Sequence, residues 1–199
     1  MRKTMAFVLS FCALLGTGNG QEQIQISEGP NETVLSDPIE YVSLLSSSSI
    51  KISGTSTLHD WESNVEDFII KATRNGEKIS AQATVQVGSI KSGKYIMDKN
   101  TYKALKESEF PTISLLANNL NIKDNQAISG SGQLTVAGQT RTIPMSLSMT
   151  SWAEESITVC CDIPIKMTDF GIAPPVALLG TVKTGDEIVL KFDITLIED

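Results

Sequence analysis

Along residues 79 to 87, Ile79, Ala81, Ala83, Val85 and Val87 share one parity while Ser80, Gln82, Thr84 and Gln86 take the other. Successive side chains of a β-strand point to opposite faces, so this run predicts a strand with one dry and one wet side. The same arithmetic puts Ile128, Leu134 and Val136 inward with Gly130 and Gly132 between them, then Ile143, Met145, Leu147 and Met149 opposite Thr142, Ser146 and Ser148. A hairpin through Ala137-Gly138-Gln139 joins these two runs. Further on, Ile157, Val159, Cys161, Ile163, Ile165 and Met167 alternate with Thr158, Cys160, Asp162, Pro164 and Lys166. Pro164 has no N–H to give and fits only at an edge or a bulge. The final strand sets Ile188, Leu190, Phe192, Ile194 and Leu196 against Lys191, Asp193 and Thr195, after a turn at Thr184-Gly185-Asp186.

Strands with one wet face belong to antiparallel sheets, because a parallel sheet covered by helices on both sides reads as continuous apolar runs. One helix is predicted, over about 99–107, with Met97, Tyr102 and Leu105 at helical spacing and Pro111 soon after its end. It is too short to cover eight strands, so the sheet closes on itself or packs against a second sheet. Small residues fall on or near the apolar parity: Ala72, Ala81, Ala83, Ala117, Gly130 and Gly132. Aromatic residues make up only 6% of the chain. A sandwich core is filled by larger interdigitating side chains, which points to a hollow barrel. Glycine and alanine also accommodate curvature and bulges in a filled barrel, and the residues alone leave both readings open.

Before this β pattern the chain differs in character. Arg2 and Lys3 precede an apolar stretch from Met5 to Leu15 and then small residues to Gly20, the layout of a secretory signal peptide. Its apolar run of about a dozen residues is short of the roughly 20 that a membrane span needs. The expectation is cleavage after Gly20, a periplasmic or secreted mature protein and no stable membrane insertion. A lipoprotein reading through Cys12 fits less well, because Phe11 is bulky where a small residue is wanted. Residues 21–39 read as a polar N-terminal arm and 40–199 as the β domain. Losing Arg2 and Lys3 takes the 16 basic residues to 14 against 23 acidic ones, a net charge near −9. Such a surface repels phosphate backbones and argues against nucleic acid as a partner. Cys160 and Cys161 are then the remaining cysteines. Adjacent strand residues face opposite sides and a direct bridge needs a strained ring, so they read as two unpaired packing residues, with a redox vicinal disulfide as the rival reading.

Five segments in order carry a family resemblance: GTSTLHDW (Gly54 to Trp61), SEFPTISL (Ser108 to Leu115), SGQLTVAGQTRTIPM (Ser131 to Met145), KMTDFGIAPP (Lys166 to Pro175) and TGDEIVLKFDITL (Thr184 to Leu196). This layout resembles the YceI-like family of exported lipid-binding proteins. The resemblance implies an eight-stranded antiparallel barrel, lipocalin-like in shape, with one short helix near an opening and a long isoprenoid or fatty chain in the lumen. It implies no catalytic residues. The chain departs from the family's commonest pattern ahead of the helix, where Met97, Asp98, Lys99 and Asn100 stand in place of Arg-Asp-x-His-Leu.

The residues on the inward parity expected to line the lumen are Ile70, Val85, Val87, Leu115, Leu134, Met145, Leu147, Val159, Cys161, Ile163, Leu190 and Phe192. Candidates for a mouth or cap are His59, Trp61, Met97, Tyr102 and Leu105. His59 is the single histidine. With Asp60 and Trp61 it serves either a ligand head group or, as the favoured reading, a strand-end cap beside a tryptophan plug. A lone histidine with one nearby carboxylate lacks the ligands of a stable metal site. Enzyme readings fare badly: no serine sits in a Gly-x-Ser-x-Gly elbow, and a thiolate at Cys161 is disfavoured in an apolar layer. Glu154-Glu155 and the Glu62, Glu66 pair read as solvated charges. Asp169-Phe170-Gly171 matches a kinase triplet without its companion motifs and reads as a turn anchored by Phe170. The leading expectation is a non-enzymatic carrier or sequestering protein for a long-chain lipid such as an isoprenoid, an isoprenoid quinone or a fatty acid derivative. No cofactor is expected beyond the lipid, and a homodimer is left open. The competing class is a filled barrel that binds another protein through its outer face or N-terminal arm.

Overall fold

The computed structural model describes residues 37–123, 126–153, 156–177 and 180–199. The leader, its cleavage point and most of the arm lie outside the described residues, as does the Glu154-Glu155 pair.

Six of the strands are halves of bent pairs. β1 (Ile39–Ser43) and β2 (Ser49–Ser56) are separated by a 3-10 turn at Leu45–Ser47. β3 (Trp61–Val65) runs into β4 (Phe68–Asn75), and β5 (Lys78–Gln86) reaches β6 (Ile90–Lys91) through a second 3-10 turn at Val87–Ser89. Then follow β7 (Thr112–Lys123), β8 (Ala127–Val136), β9 (Gln139–Trp152), β10 (Ser156–Lys166), the short β11 (Val176–Ala177) and β12 (Val182–Glu198). Each bent pair spans the sheet as one strand, since β1 and β2 pair with β4 and β3, which pair in turn with β5 and β6. Every step along the chain is then a neighbour in the sheet. The circuit closes where β1 meets β12, with Tyr41 opposite Glu198, Val42 opposite Ile197 and Ser43 opposite Leu196. The fold is a closed eight-strand antiparallel barrel with one α-helix among the described residues. Closure removes the edges of the sheet, apart from the stretch of β10 beyond Cys160 that does not pair with β9.

The hairpin between β8 and β9 turns on Ala137 and Gly138, both in the left-handed region at φ 47° and 75°. Two positive φ values are what a tight two-residue turn needs to follow strand twist. Glycine at position 138 serves a second end: a β-carbon there would sit 2.6 Å from the Phe110 ring, so the ring lies flush on the turn. Pro164 pairs across β12 with Val189 in a part of β10 beyond the residues that pair with β9. One side of β10 is therefore unpaired there, which is where a proline is tolerated in a sheet.

Two elements depart from the expected boundaries. The helix α1 covers Tyr95–Ala104, starting about four residues earlier than predicted. Asp98 accepts hydrogen bonds from the N–H (2.7 Å) and hydroxyl (2.5 Å) of Ser92, which folds the Ser92-Gly93-Lys94 turn onto the first helical turn. Helical spacing of apolar residues does not register a start held by polar groups. The expected turn at Thr184-Gly185-Asp186 is instead a bulge inside β12, where register against β2 shifts between Thr184 and Ile188. Asp186 accepts from the Thr168 N–H (2.9 Å) and hydroxyl (2.6 Å), tying the bulge to a 3-10 turn at Met167–Phe170.

The interior is half filled. Tyr41, Ala72, Ile79, Leu120, Ile122, Ile128, Ile157, Ile194 and Leu196 pack into one continuous buried cluster. The small residues expected to leave space here do not. A β-carbon on Gly130 would meet Leu120 Cδ2 at 2.6 Å, and one on Gly132 would meet Met145 Sδ at 2.8 Å and Leu115 Cδ1 at 3.0 Å. Large side chains from neighbouring strands occupy the room that the small ones vacate, as interior packing density requires.

Candidate functional site

The other half of the barrel is hollow. A cavity of about 750 Å³ lies under α1, at the end where β2, β6, β8 and β10 finish and β3, β7 and β12 begin. Ile52, Ile90, Ile113, Leu134, Val136, Ile165, Ile188 and Leu190 form its strand walls. Met167, Phe170 and Ile172 close one side from the 3-10 turn, and Met97, Ala104 and Leu105 roof it from the helix. Phe170 is only 3% exposed, so the Asp169-Phe170-Gly171 turn is pinned by its ring. Gly171 adopts φ 68°, which lets the chain leave that turn sharply. At the lip, Lys94, Tyr95 and Ile96 contribute to the wall while standing largely in solvent, Ile96 at 75% exposure. A large exposed isoleucine at the entrance to an apolar cavity is unusual for a helix that had only a core to cover.

Of the residues expected in the lumen, Leu134 and Leu190 line this cavity. Ile70, Val85, Met145, Leu147 and Val159 pack in the filled half. Leu115 and Phe192 sit between the two core clusters, and Cys161 and Ile163 belong to the cluster around Leu134 and Phe170. Val87 is 1% exposed within the second 3-10 turn. Of the expected mouth residues, His59, Trp61, Met97 and Leu105 line the cavity, and Tyr102 does not. Tyr102 is a latch: its phenol oxygen lies 3.0 and 2.9 Å from the carbonyls of Gly88 and Ile90 and accepts from Lys91 Nζ at 2.7 Å. That hydrogen bond is the main cause of a raised Lys91 pKa.

His59 is exposed, with Nδ1 2.7 Å from the Asp60 carbonyl, while Ser56 donates to the His59 carbonyl at 2.7 Å. Trp61 donates Nε1–H to the Thr55 carbonyl at 3.1 Å, fixing the indole as a wall. Cys160 and Cys161 are both free. Burial pushes the Cys161 thiol up to about 12, with the neighbouring Cys160 and Asp162 adding to it. Among the described residues no group of three or more His, Cys, Asp or Glu side chains is placed to hold a metal. No helix there is long and apolar enough to cross a membrane.

Ile52, Ile90, Ile113, Val136, Ile165, Met167 and Ile188 were not singled out from the sequence. Parity put several of them inward, but parity reports which face a side chain takes and carries no information on its height along the barrel axis.

Comparison with known proteins places this architecture. No curated protein sequence matches the chain. Among solved structures, BcnA of Burkholderia cenocepacia superposes with a TM-score of 0.66 at 17% identity, covering 77% of this chain and 98% of its own. A polyisoprenoid binding domain of Saccharophagus degradans, implicated in plant cell wall breakdown, gives 0.64 at 11% identity, with coverages of 81% and 99%. The YCEI protein of Campylobacter jejuni gives 0.57 at 18% identity, with coverages of 69% and 84%. These superpositions show a shared barrel fold. The model of the YceI-like domain matches residues 41–196, the whole barrel from the first strand almost to the end of the last, and the chain therefore belongs to the YceI-like domain family.

Proposed function

We propose that the protein binds one long-chain lipid in the hollow half of its barrel and carries or sequesters it without chemical change. The observation that carries this reading is the cavity under α1, lined mainly by apolar side chains and open at the lip. Its volume lies in the range of about 300–1,000 Å³ typical of small-molecule sites. Each methylene moved from water into such a wall contributes about 0.8 kcal/mol, so a chain is held by burial alone. Met97 and Met167 in the wall adapt their shape to bends in that chain.

The polyisoprenoid binding of the Saccharophagus neighbour supports an isoprenoid chain, free or on a quinone, as the ligand, and the apolar wall would take a fatty acid derivative as well. The leader-like residues 1–20 support a periplasmic or secreted setting. A non-enzymatic role is supported by the Saccharophagus neighbour, which is a binding domain, and by the mainly apolar lining of the cavity. The rival reading, a filled barrel that docks a protein partner, draws support from the packed half alone.

Native mass spectrometry of gently purified protein, followed by organic extraction, separates the two. A co-purifying mass that passes into the organic phase is expected. Bare protein that also ignores added quinones and fatty acids would defeat the lipid reading.

A further inference from the structure

Ser63 is the one polar residue in the buried core of the described chain, at 2% exposure. It stands on β3, opposite Ile52 of β2, and its side chain borders the cavity beside Ile90, Trp61 and Leu105. Its hydroxyl has no hydrogen-bond partner among the described residues, yet it is not sealed in, since it faces the cavity. The other hydroxyls of the wall are differently placed: Thr101 already donates to the Met97 carbonyl at 3.1 Å and Ser56 to the His59 carbonyl, while Thr184 is only half-buried and Tyr95 stands in solvent at the lip. A hydroxyl unpaired in an apolar wall disfavours the empty protein, and alanine would pack there equally well. The serine is explained when something that enters the cavity pairs with it.

Charge restricts what that partner is. The ionisable side chains of the lining are the exposed His59 and, in solvent at the lip, Lys94 and Tyr95. A carboxylate or phosphate drawn down to Ser63 would find no countercharge and lose its hydration. We propose that Ser63 donates its hydroxyl proton to an uncharged oxygen of the ligand, a ketone, quinone or alcohol oxygen, held inside the cavity while acids and phosphates are rejected at that depth. This rests on the lipid-binding reading and narrows its ligand class to neutral oxygenated lipids.

The test uses three probes of equal chain length, dodecane, 2-dodecanone and dodecanoate, followed through Trp61 emission in the full chain carrying Trp152→Phe, alone and combined with Ser63→Ala or Ser63→Thr. The preference for ketone over alkane is expected to fall about threefold to tenfold in Ser63→Ala, the span of one neutral hydrogen bond. Alkane affinity should hold, Ser63→Thr should keep the preference, and the Ser63→Ala melting temperature should match or exceed that of the parent. An unchanged preference in Ser63→Ala would overturn the inference, as would dodecanoate binding as well as the ketone. A lower melting temperature with both neutral probes lost would make Ser63 structural and overturn it too. If dodecane itself fails to bind the parent, the lipid reading falls along with this one; if dodecane binds without a ketone preference, only the role of Ser63 falls.

Discussion

Gly54 and Trp61 are cross-strand partners on β2 and β3, and a β-carbon on Gly54 would lie 2.5 Å from Cζ2 of the Trp61 indole. They are the two ends of the segment GTSTLHDW, so its first and last residues meet across the β2–β3 pair, and Trp61 of the two lines the cavity.

The first prediction follows from that contact. Gly54→Ala displaces the indole and strains its hydrogen bond to the Thr55 carbonyl, because a rigid bicyclic ring cannot give way locally as a flexible chain would. The expected loss is about 1–3 kcal/mol, typical of overpacking, read by urea denaturation. In a Trp152→Phe background the Trp61 emission maximum should shift. An unmoved spectrum with full stability would show the indole free to slide.

A second prediction concerns the latch on the helix. Tyr102→Phe removes the hydroxyl that bridges the carbonyls of Gly88 and Ile90 and the Lys91 ammonium. The expected cost is about 1 kcal/mol. Amide exchange should quicken in α1 more than in β8 or β10, which share no bond with Tyr102. Uniform quickening would mean that the helix opens only with the whole barrel.

Thiol chemistry tests the strand register of β10. Cys160 lies opposite Asp193 and Cys161 opposite Phe192. With its thiol pushed up to about 12 from 9.0, Cys161 holds roughly a thousandfold less thiolate than an ordinary cysteine at neutral pH. Brief maleimide treatment of native protein should therefore label Cys160 and spare Cys161, as mapped by peptide mass spectrometry. Equal labelling would put β10 one residue out of register.

The acid limb of stability tests the bulge in β12. The Thr168 hydroxyl, and then its N–H, hold the Asp186 carboxyl below its usual 3.8. In Asp98, desolvation pulls upward but is outweighed by the two bonds from Ser92 and by Lys91, leaving it also below 3.8. A carboxyl lowered by folding stabilises the fold above its unfolded value and loses that contribution as pH falls through the folded one. Melting temperature should therefore drop on acidification below about pH 4. Asp186→Asn should flatten part of that drop and leave the neutral-pH slope unchanged. An identical acid profile in the variant would mean that the Thr168 contact contributes nothing.

Local order was already written in the chain. The alternation at Ile79 to Val87, the Ala137-Gly138 hairpin and the inward parity of β10 and β12 correspond to what the barrel adopts, because a period of two is a property of each strand alone. Counting narrowed the choice to a sheet closed on itself or two facing sheets, since one short helix cannot bury the dry face of eight strands, and the pairing of β1 with β12 decided for closure. Height along the barrel axis was decided only by assembly. Met145 and Leu134 share an inward parity, yet one plugs the packed half and the other lines the cavity, depending on how far each strand is sheared against its neighbours. Gly130 and Gly132 misled for the same reason: a missing side chain reads as space until Leu120, Leu115 and Met145 arrive from other strands to fill it. The hollow and the unpaired hydroxyl of Ser63 within it exist only once all eight strands have met, because a void is bounded by residues far apart in the chain.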